Sequence, residues 1–241
     1  MLHAVADETN EGVRRQLALL QSAEFLYETR LLPDSEYTFK HALTQEVAYG
    51  GLLTDRRRAI HARIVEAIER LQGDRLTEQV EQLAHHALRA ESWDKALLYG
   101  RQAGAKAMAC WALRDAGTHF ERALTATTHL PQTREVIEQR LIRLDLRHAI
   151  FTLGEVERAM GLMREAESLA DQLGDTARMG KISLSLSIGL WMMGYAAEAQ
   201  GPGERALAIA EATDDGMLRH QARGHLPRLY YDRGDYRQAA A

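Results

Sequence analysis

The sequence predicts a mainly α-helical protein, a solenoid of stacked helical hairpins that follows a short segment with one β-hairpin. Three observations lead to this prediction. Only 4 of the 241 residues are proline, whereas Ala, Leu, Glu and Arg, which favour helix, are abundant. A pattern of glycine and alanine recurs at a constant interval in the C-terminal half, which is typical of a repeated helical hairpin. One early stretch, residues 36–40, instead alternates aromatic and polar residues at the period of a β-strand.

Composition narrows the class of protein. Hydrophobic residues make up 46% of the chain and charged residues 27%, with a net charge of −4, which argues against a broad basic face for nucleic acid. The single cysteine, Cys110, excludes an internal disulfide and is typical of a reducing cytoplasm. The N-terminal residues lack the features of a signal peptide. The longest weakly polar run, Ile182 to Tyr195, is too short to span a membrane. We therefore expect a cytoplasmic protein without a membrane partner.

The N-terminal segment, residues 1–55, is predicted to be the C-terminal part of a winged-helix module. Apolar residues between Val13 and Leu20 have helical spacing. Residues 25–32 lead into the turn Pro33-Asp34-Ser35, and the strand-like residues 36–40 follow. A winged-helix module ends with a helix, a two-stranded hairpin and another helix, in that order. The hairpin would therefore be the wing.

Helices are predicted from residue 42 to the end of the chain. A short amphipathic helix ends near Gly50-Gly51, and Thr54 or Asp55 can cap the next helix, which stops at Gly73. We assign residues 56–241 to a helical repeat region. The apolar face of its first helix is predicted to consist of Ile60, Ile64, Ala67, Ile68 and Leu71.

The internal repeat is the firmest observation. Leu153-Gly154-Glu155 recurs as Met193-Gly194-Tyr195 and, after the same interval, as Arg233-Gly234-Asp235. In these copies alanines follow the glycine at fixed intervals. An earlier copy of the alanine pattern lies one repeat upstream, with Phe120 between two of its alanines. These alanines are Ala116, Ala123, Ala159, Ala166, Ala170, Ala199, Ala206, Ala210 and Ala239. Glycine suits the turn and alanine allows close helix approach, so the repeats are predicted to be tetratricopeptide-like hairpins. Because the last copy stops early in its second helix, we expect the repeat region to be incomplete at its C-terminus and the chain to be part of a longer protein.

Four stretches carry a family resemblance. EFLYE at 24–28, YTFKHALTQEVAY at 37–49, LL followed by RRR-x-x-H at 52–61 and HHALRAESWDKALLYGRQAGAKA at 85–107 resemble bacterial signalling ATPases. In these proteins an AAA-like STAND ATPase leads into tetratricopeptide-like repeats, and a class III adenylate or guanylate cyclase is often fused to it. The resemblance implies the order cyclase, ATPase, winged helix, repeats. It places ATP or ADP and Mg²⁺ in a full-length parent and no cofactor in this chain.

The resemblance also suggests a nucleotide-sensing role for His41, with Lys40 beside it. In several STAND ATPases a histidine at the junction of the winged-helix strand and the next helix senses the β-phosphate of ADP. His41 follows a strand in the same way, although Ala42 stands where the family usually has an acidic residue. A helix N-terminus also suits an anion. The alternative is a histidine that caps or packs at the junction.

Other candidate sites are weaker. Arg56-Arg57-Arg58 could contact phosphate, but consecutive arginines point in different directions around a helix. The stretch from Gly174 to Lys181 has five residues between its glycines, where a phosphate-binding loop has four. His85 and His86 are adjacent and diverge on a helix, so a metal pair is not expected. Cys110 is predicted to be a buried small hydrophobe, and Trp93, Tyr99 and Trp111 are predicted to belong to the core.

No complete catalytic site is present, so we predict a non-catalytic chain that is not an enzyme. Trp191, Tyr230 and Tyr231 could line the concave face of the solenoid and bind a protein or small-molecule inducer. Binding on the repeats would then change the state of an ATPase domain upstream in the same chain (in cis). The resemblance implies that cyclic-nucleotide synthesis is the output. One alternative is a freestanding repeat scaffold or adaptor. The other is a winged-helix DNA-binding regulator, for which the helix near residues 13–20 offers only Arg14 and Arg15.

Overall fold

A computed structural model of the chain describes residues 5–6, 8–30, 36–131, 133, 135–136 and 142–240. Contacts divide the chain into two compact units, Met1–Tyr99 and Gly100–Ala241. The predicted turn Pro33-Asp34-Ser35 lies outside the described residues. Among the described residues, no helix is both long enough and apolar enough to cross a lipid bilayer.

The described part of the first unit contains a helix followed by a β-hairpin, as the sequence predicts. Helix α1 spans Asn10–Ser22, and the hydroxyl of Thr9 caps it by accepting from the Gly12 N–H. Strands β1 (Leu26–Arg30) and β2 (Glu36–Phe39) pair antiparallel, with Leu26 opposite Phe39 and an irregularity near Arg30. The assignment of this segment to a winged helix, and its boundary at residue 55, stay predictions.

Three further helices follow within this unit, and a fourth begins in it. Helix α2 (Ala42–Gly50) buries none of its residues. The remaining elements are α3 (Thr54–Gln72), a 3₁₀ segment (Gly73–Gln79), α4 (Val80–Arg89) and α5 (Trp93–Ala109). The division between the units falls within α5.

Helix α3 differs from its prediction in two ways. Its N-cap is Leu53, without a side-chain hydrogen bond, so neither Thr54 nor Asp55 caps it. Its buried residues are His61, Val65, Ala67 and Ile68, whereas Leu71 is largely exposed. The buried face is therefore rotated from the predicted isoleucine stripe and includes a histidine.

The second unit is a series of helical hairpins in chain order. After α5 come α6 (Leu113–Ala126), a 3₁₀ turn (Thr127–His129), α7 (Arg143–Thr152), α8 (Val156–Leu173), α9 (Thr176–Met192), α10 (Ala196–Ala212), α11 (Gly216–Asp232) and α12 (Tyr236–Ala239). From α7 onward each helix packs on the next, and α9 also contacts α11. The first helices of the last two hairpins, α9 and α11, therefore lie side by side.

The alanines of the repeat form the core of these hairpins. Eight of the nine predicted alanines are fully buried, and the exception is Ala239 in the short α12. Phe120 is also almost completely buried. Met160, Met163 and Ile182 fill the space around the alanines of α8, and Leu218 and Ala222 do so for those of α10. The predicted repeat pattern is thus confirmed as a packing pattern.

The hairpin turns share a left-handed residue. Gly154, Gly194 and Gly234 have φ of 87°, 86° and 78°, and the next residue donates its N–H back into the preceding helix, as Tyr195 does to the Leu190 carbonyl at 2.9 Å. This is the geometry of a Schellman cap. Trp111 occupies the equivalent position of the earlier copy with φ 58°, so the turn tolerates a side chain at a cost in backbone strain.

Replacing Trp111 by glycine is expected to stabilise the chain. The indole is 77% exposed and loses little packing when removed, whereas a β-carbon in the left-handed region costs about 1 kcal/mol. Trp111→Gly should therefore unfold at higher denaturant concentration than Trp111→Ala, which keeps the β-carbon, by about 1 kcal/mol in free energy. Equal stability of the two variants would show that the turn carries no strain.

Candidate functional site

A surface pocket of about 380 Å³ lies where α9, α11 and α12 meet. Two of the three residues predicted to bind a partner, Trp191 and Tyr231, are among its walls. The lining residues are Trp191, Pro227, Arg228, Tyr231, Asp232 and Ala239. An indole, a phenol ring, a proline ring and a methyl group give it mainly apolar walls, which are typical of sites that receive a side chain or small ligand.

The repeat itself brings the two aromatic residues together. Trp191 and Tyr231 stand at the same distance before the turn glycines of their copies, Gly194 and Gly234, and each lies near the C-terminal end of the first helix of its hairpin. Because stacked copies set equivalent positions side by side, these two side chains share one surface.

Trp191 is held in a fixed orientation. Its indole N–H donates to Oδ2 of Asp232 at 2.5 Å, and its ring lies edge-on to His225, 5.7 Å between centroids. It also packs against the buried cluster around Leu229. A half-buried aromatic that is fixed on several sides can bind a ligand at little cost in side-chain entropy.

Tyr231 provides the exposed wall of the pocket. Its side chain is 64% exposed, and it stacks edge-on with Tyr236 of α12 at 5.4 Å between centroids. An exposed aromatic pair beside a fixed indole is the kind of surface that becomes an anchor point in protein interfaces.

The pocket lining carries one cation, Arg228, and one carboxylate, Asp232. Arg228 is exposed and makes no hydrogen bond or ion pair among the described residues, and the same holds for Arg233 and Arg237 nearby in sequence. Asp232 is engaged by the indole of Trp191, and Asp235 caps α12 through the Gln238 N–H. One oxygen of each carboxylate is thus bound within the fold. The guanidinium of Arg228 has no hydrogen bond or ion pair among the described residues and can pair with an anion.

Tyr230, the third residue predicted to bind a partner, is not among the residues that line the pocket. Its hydroxyl donates to Oε1 of Glu204 on α10 at 3.1 Å, and its ring packs against the cluster around Leu229. Burial, followed by the contact with Glu204, raises the pKa of Tyr230. Its contacts are structural, so the pocket combines Trp191 and Tyr231 without it.

A buried serine and histidine near the pocket have no arrangement for nucleophilic catalysis. Ser187 is fully buried, and its hydroxyl donates to the Ala199 carbonyl at 2.6 Å. The hydroxyl has one proton, so the contact of 3.0 Å with Nε2 of His225 requires the histidine to donate. A general base must instead accept the serine proton. The pair therefore joins α9, α10 and α11 as a polar core contact, and burial lowers the pKa of His225.

The residues predicted to sense nucleotide lie at the start of α2. His41 is the N-cap residue with extended backbone and makes no side-chain capping bond. Lys40 Nζ is 2.5 Å from Oε2 of Glu24, and this contact lowers the pKa of Glu24. The lysine is thus engaged within the first unit, and the nucleotide-sensing role of both residues stays a prediction.

Arg57 and Arg58 of the arginine run, residues 56–58, contact different parts of the first unit, as their consecutive positions predict. Arg57 lies over the ring of Tyr49 at 5.4 Å, and Arg58 forms an ion pair with Glu91 at 2.6 Å. The residues described by the structure contain no group of three His, Cys, Asp or Glu side chains that could hold a metal ion.

Two predictions about burial were wrong. Cys110 and Trp111 are both exposed rather than buried. The cause is that they occupy the turn between α5 and α6, where the chain leaves the core. Tyr99, by contrast, is buried as predicted.

The glycines of the rejected phosphate-loop stretch have structural explanations. Gly174 ends α8 in the left-handed conformation with φ 66°. Gly180 lies inside α9, where a β-carbon would come 2.6 Å from the side chain of Leu218 and 2.8 Å from that of Ile209. Neither belongs to a phosphate-binding loop.

Comparison with known proteins identifies the fold. No family model matches the sequence, and no curated protein matches it. The solved structure of BtubC (BKLC) from P. vanneervenii is similar with a TM-score of 0.57 at 22% identity, over 78% of this chain and 87% of that one. A putative kinesin light chain from Podosopora anserina with nearly identical TPR-like repeats gives 0.55 at 20%, over 78% and 91%.

A third similar structure is a peptide complex. The Rap conjugation gene regulator of plasmid pLS20, solved with the Phr* peptide, gives a TM-score of 0.51 at 15% identity, over 64% of this chain and 41% of that one. These likenesses confirm the predicted fold class, an α-solenoid of tetratricopeptide-like hairpins. Coupling of the repeats to an ATPase or a cyclase stays a prediction.

Proposed function

We propose that this chain is a non-catalytic protein-interaction module whose repeats bind a short segment of a partner protein in the pocket formed by Trp191, Arg228 and Tyr231. The observation that carries the proposal is the combination of a fixed indole, an exposed tyrosine pair and an unpaired guanidinium around one apolar pocket. A similar fold is known in complex with a peptide, which supports a peptide as the class of ligand.

The pocket favours a segment with an apolar side chain next to a carboxylate. The apolar side chain would pack against Trp191, Pro227 and Tyr231, and the carboxylate would pair with Arg228. A pocket of about 380 Å³ has room for one or two side chains, so the contact would be a local anchor of a longer interface.

Selection from a peptide display library tests this proposal. Sequences that contain an acidic residue beside Leu, Ile, Phe or Trp should be enriched on the wild-type chain and lost on a chain with Arg228→Glu and Tyr231→Ala. Arg228 and Tyr231 are exposed, so the double variant should fold. Enrichment of the same sequences on both chains would place binding elsewhere.

A finer proposal is that peptide binding regulates a nucleotide-dependent switch upstream in a cytoplasmic signalling ATPase. Its support is the family resemblance of residues 37–49 and 85–107, together with the position of His41 at the first residue before α2. Such coupling requires inducer and nucleotide to favour the same domain arrangement. In the full-length protein, His41→Ala should weaken ADP binding, and unchanged affinity would remove the nucleotide-sensor role while leaving the peptide site intact.

A freestanding adaptor is the second candidate. The same pocket geometry favours it, because peptide binding at Trp191 and Tyr231 needs no ATPase. The display selection supports both candidates, and the ADP measurement separates them.

A further inference from the structure

A cluster of histidines in the first unit joins three helices and has no part in the proposed peptide site. Nδ1 of His61 on α3 is 2.8 Å from Nδ1 of His86 on α4, and Nε2 of His61 is 2.9 Å from the hydroxyl of Tyr49 on α2. His61 is only 7% exposed. The three side chains form a continuous hydrogen-bonded chain from α2 to α4, here called the histidine latch.

The latch is well placed to control the docking of α2. None of the residues of α2 is buried, and its apolar residues Leu43 and Val47 are about two-thirds exposed. Its Tyr49 provides the hydrogen bond to His61. A helix with so little burial depends strongly on a few polar contacts for its position.

Geometry limits the number of protons that the latch can hold. A hydrogen bond between two Nδ1 atoms needs one of them protonated and the other free to accept. The chain is satisfied when both rings are neutral. One added proton leaves the hydrogen bonds intact, but it places a charge in a site largely removed from water, which burial disfavours. When both rings carry two protons, the two Nδ1–H groups face each other across the short contact and the contact must break.

The surrounding charges also oppose protonation. Burial first, then His85 and Arg89 on α4, lower the pKa of His61. Burial, followed by His61 and His85, lowers the pKa of His86 to about 4. Arg57 on α3 lies over the ring of Tyr49, and Glu81 stands one turn before His85 on α4. The pKa of each latch histidine is thus lowered by burial first and then by neighbouring histidine or arginine side chains.

We propose that Tyr49, His61 and His86 form a pH-sensitive latch that holds α2 on the α3–α4 hairpin when the histidines are neutral and releases it on acidification. Released histidines regain an ordinary affinity for protons, so acid favours the open state. The stabilisation is complete above the ordinary histidine pKa of 6.5 and is lost as pH falls from 6.5 towards 4.

Hydrogen exchange of the α2 amides in the full chain tests the proposal. Protection factors, which divide out the intrinsic pH dependence of exchange, should fall by about 30-fold between pH 7.5 and pH 5, the factor expected when His86 alone regains its ordinary pKa. In His86→Gln, which keeps a hydrogen-bonding side chain but cannot titrate, the fall should be only a few-fold. Equal pH dependence in His86→Gln and wild type would overturn the latch.

Two further variants complete the test. Tyr49→Phe removes one hydrogen bond without changing a titratable histidine, so α2 protection should fall about 5-fold already at pH 7.5. His220→Gln removes an exposed histidine of α11 and should keep the full pH dependence of wild type. Unchanged protection in Tyr49→Phe would show that α2 is not held by the latch.

Discussion

Gly104→Ala will lower the free energy of unfolding by about 1–3 kcal/mol, the usual cost of overpacking a filled core. A β-carbon at Gly104 would lie 2.5 Å from Cδ1 of Phe120 and closer still to Cε1. The ring cannot move aside easily, because Phe120 is only 2% exposed and is packed among the alanines of α6. Equilibrium denaturation of the variant and the wild type measures the loss.

Gly161→Ala is the matched control for this substitution. Gly161 also lies inside a helix of the second unit, yet a β-carbon there would have no neighbour within 4 Å. Alanine should therefore stabilise α8 by about 0.5–1 kcal/mol through helix propensity alone. Gly104→Ala is therefore expected to lower the free energy of unfolding, and Gly161→Ala is expected to raise it. A stabilising Gly104→Ala would mean that α5 and α6 do not approach as closely as the structure has them.

A second substitution isolates the cause. Phe120→Leu creates space where the new methyl group must go, so Gly104→Ala should cost much less in a Phe120→Leu background than in the wild type. The two changes should be strongly non-additive, by about 1 kcal/mol or more. Simple additivity would show that the cost of Gly104→Ala arises elsewhere.

Arg228→Glu will weaken binding of an acidic peptide selected on the wild-type chain by at least about 10-fold, because it replaces an attraction by a repulsion at the pocket rim. Arg228 is exposed and makes no hydrogen bond or ion pair among the described residues, so the loss would report binding and not folding. Calorimetric titration gives the dissociation constants. The difference should shrink as salt rises, since rim charges are screened.

Arg164→Glu is the charge-matched control for this prediction. Arg164 lies on the exposed side of α8 and also makes no hydrogen bond or ion pair among the described residues. The change alters net charge by the same amount outside the pocket. Its effect on affinity should stay within about 2-fold. Equal losses in both variants would indicate long-range attraction without a defined site.

The repeat region could be predicted from sequence because its packing depends on small residues. Where helices approach closely, a buried alanine such as Ala166 or Ala206 is required. The constant interval between such alanines can be read directly from the sequence. Where the turn needs a left-handed residue, glycine marks three of the copies. The earlier copy is harder to recognise because Trp111 takes the glycine position, and a tryptophan in sequence suggests core.

The histidine latch could not be predicted because a polar residue on a hydrophobic face does not contribute to apolar periodicity. His61 lies one position from the predicted isoleucine stripe, and the pairing with His86 depends on how α3 and α4 cross. The two aromatic residues of the pocket, by contrast, could be predicted from the sequence. The repeat period relates Trp191 to Tyr231, and applying it to these two residues would have placed them together. Pro227 and Asp232 have no such signal, because their contribution depends on the side-chain geometry of one hairpin.

The most direct test of peptide binding in the pocket is a charge exchange between Arg228 and the selected peptide, measured by calorimetry with all four combinations. A peptide whose acidic residue is changed to lysine should bind the wild type at least about 10-fold more weakly than the original, and Arg228→Glu should recover most of that loss. If the lysine peptide binds Arg228→Glu as weakly as it binds the wild type, the carboxylate does not meet Arg228, and the pocket is not the site where this protein recognises its partner.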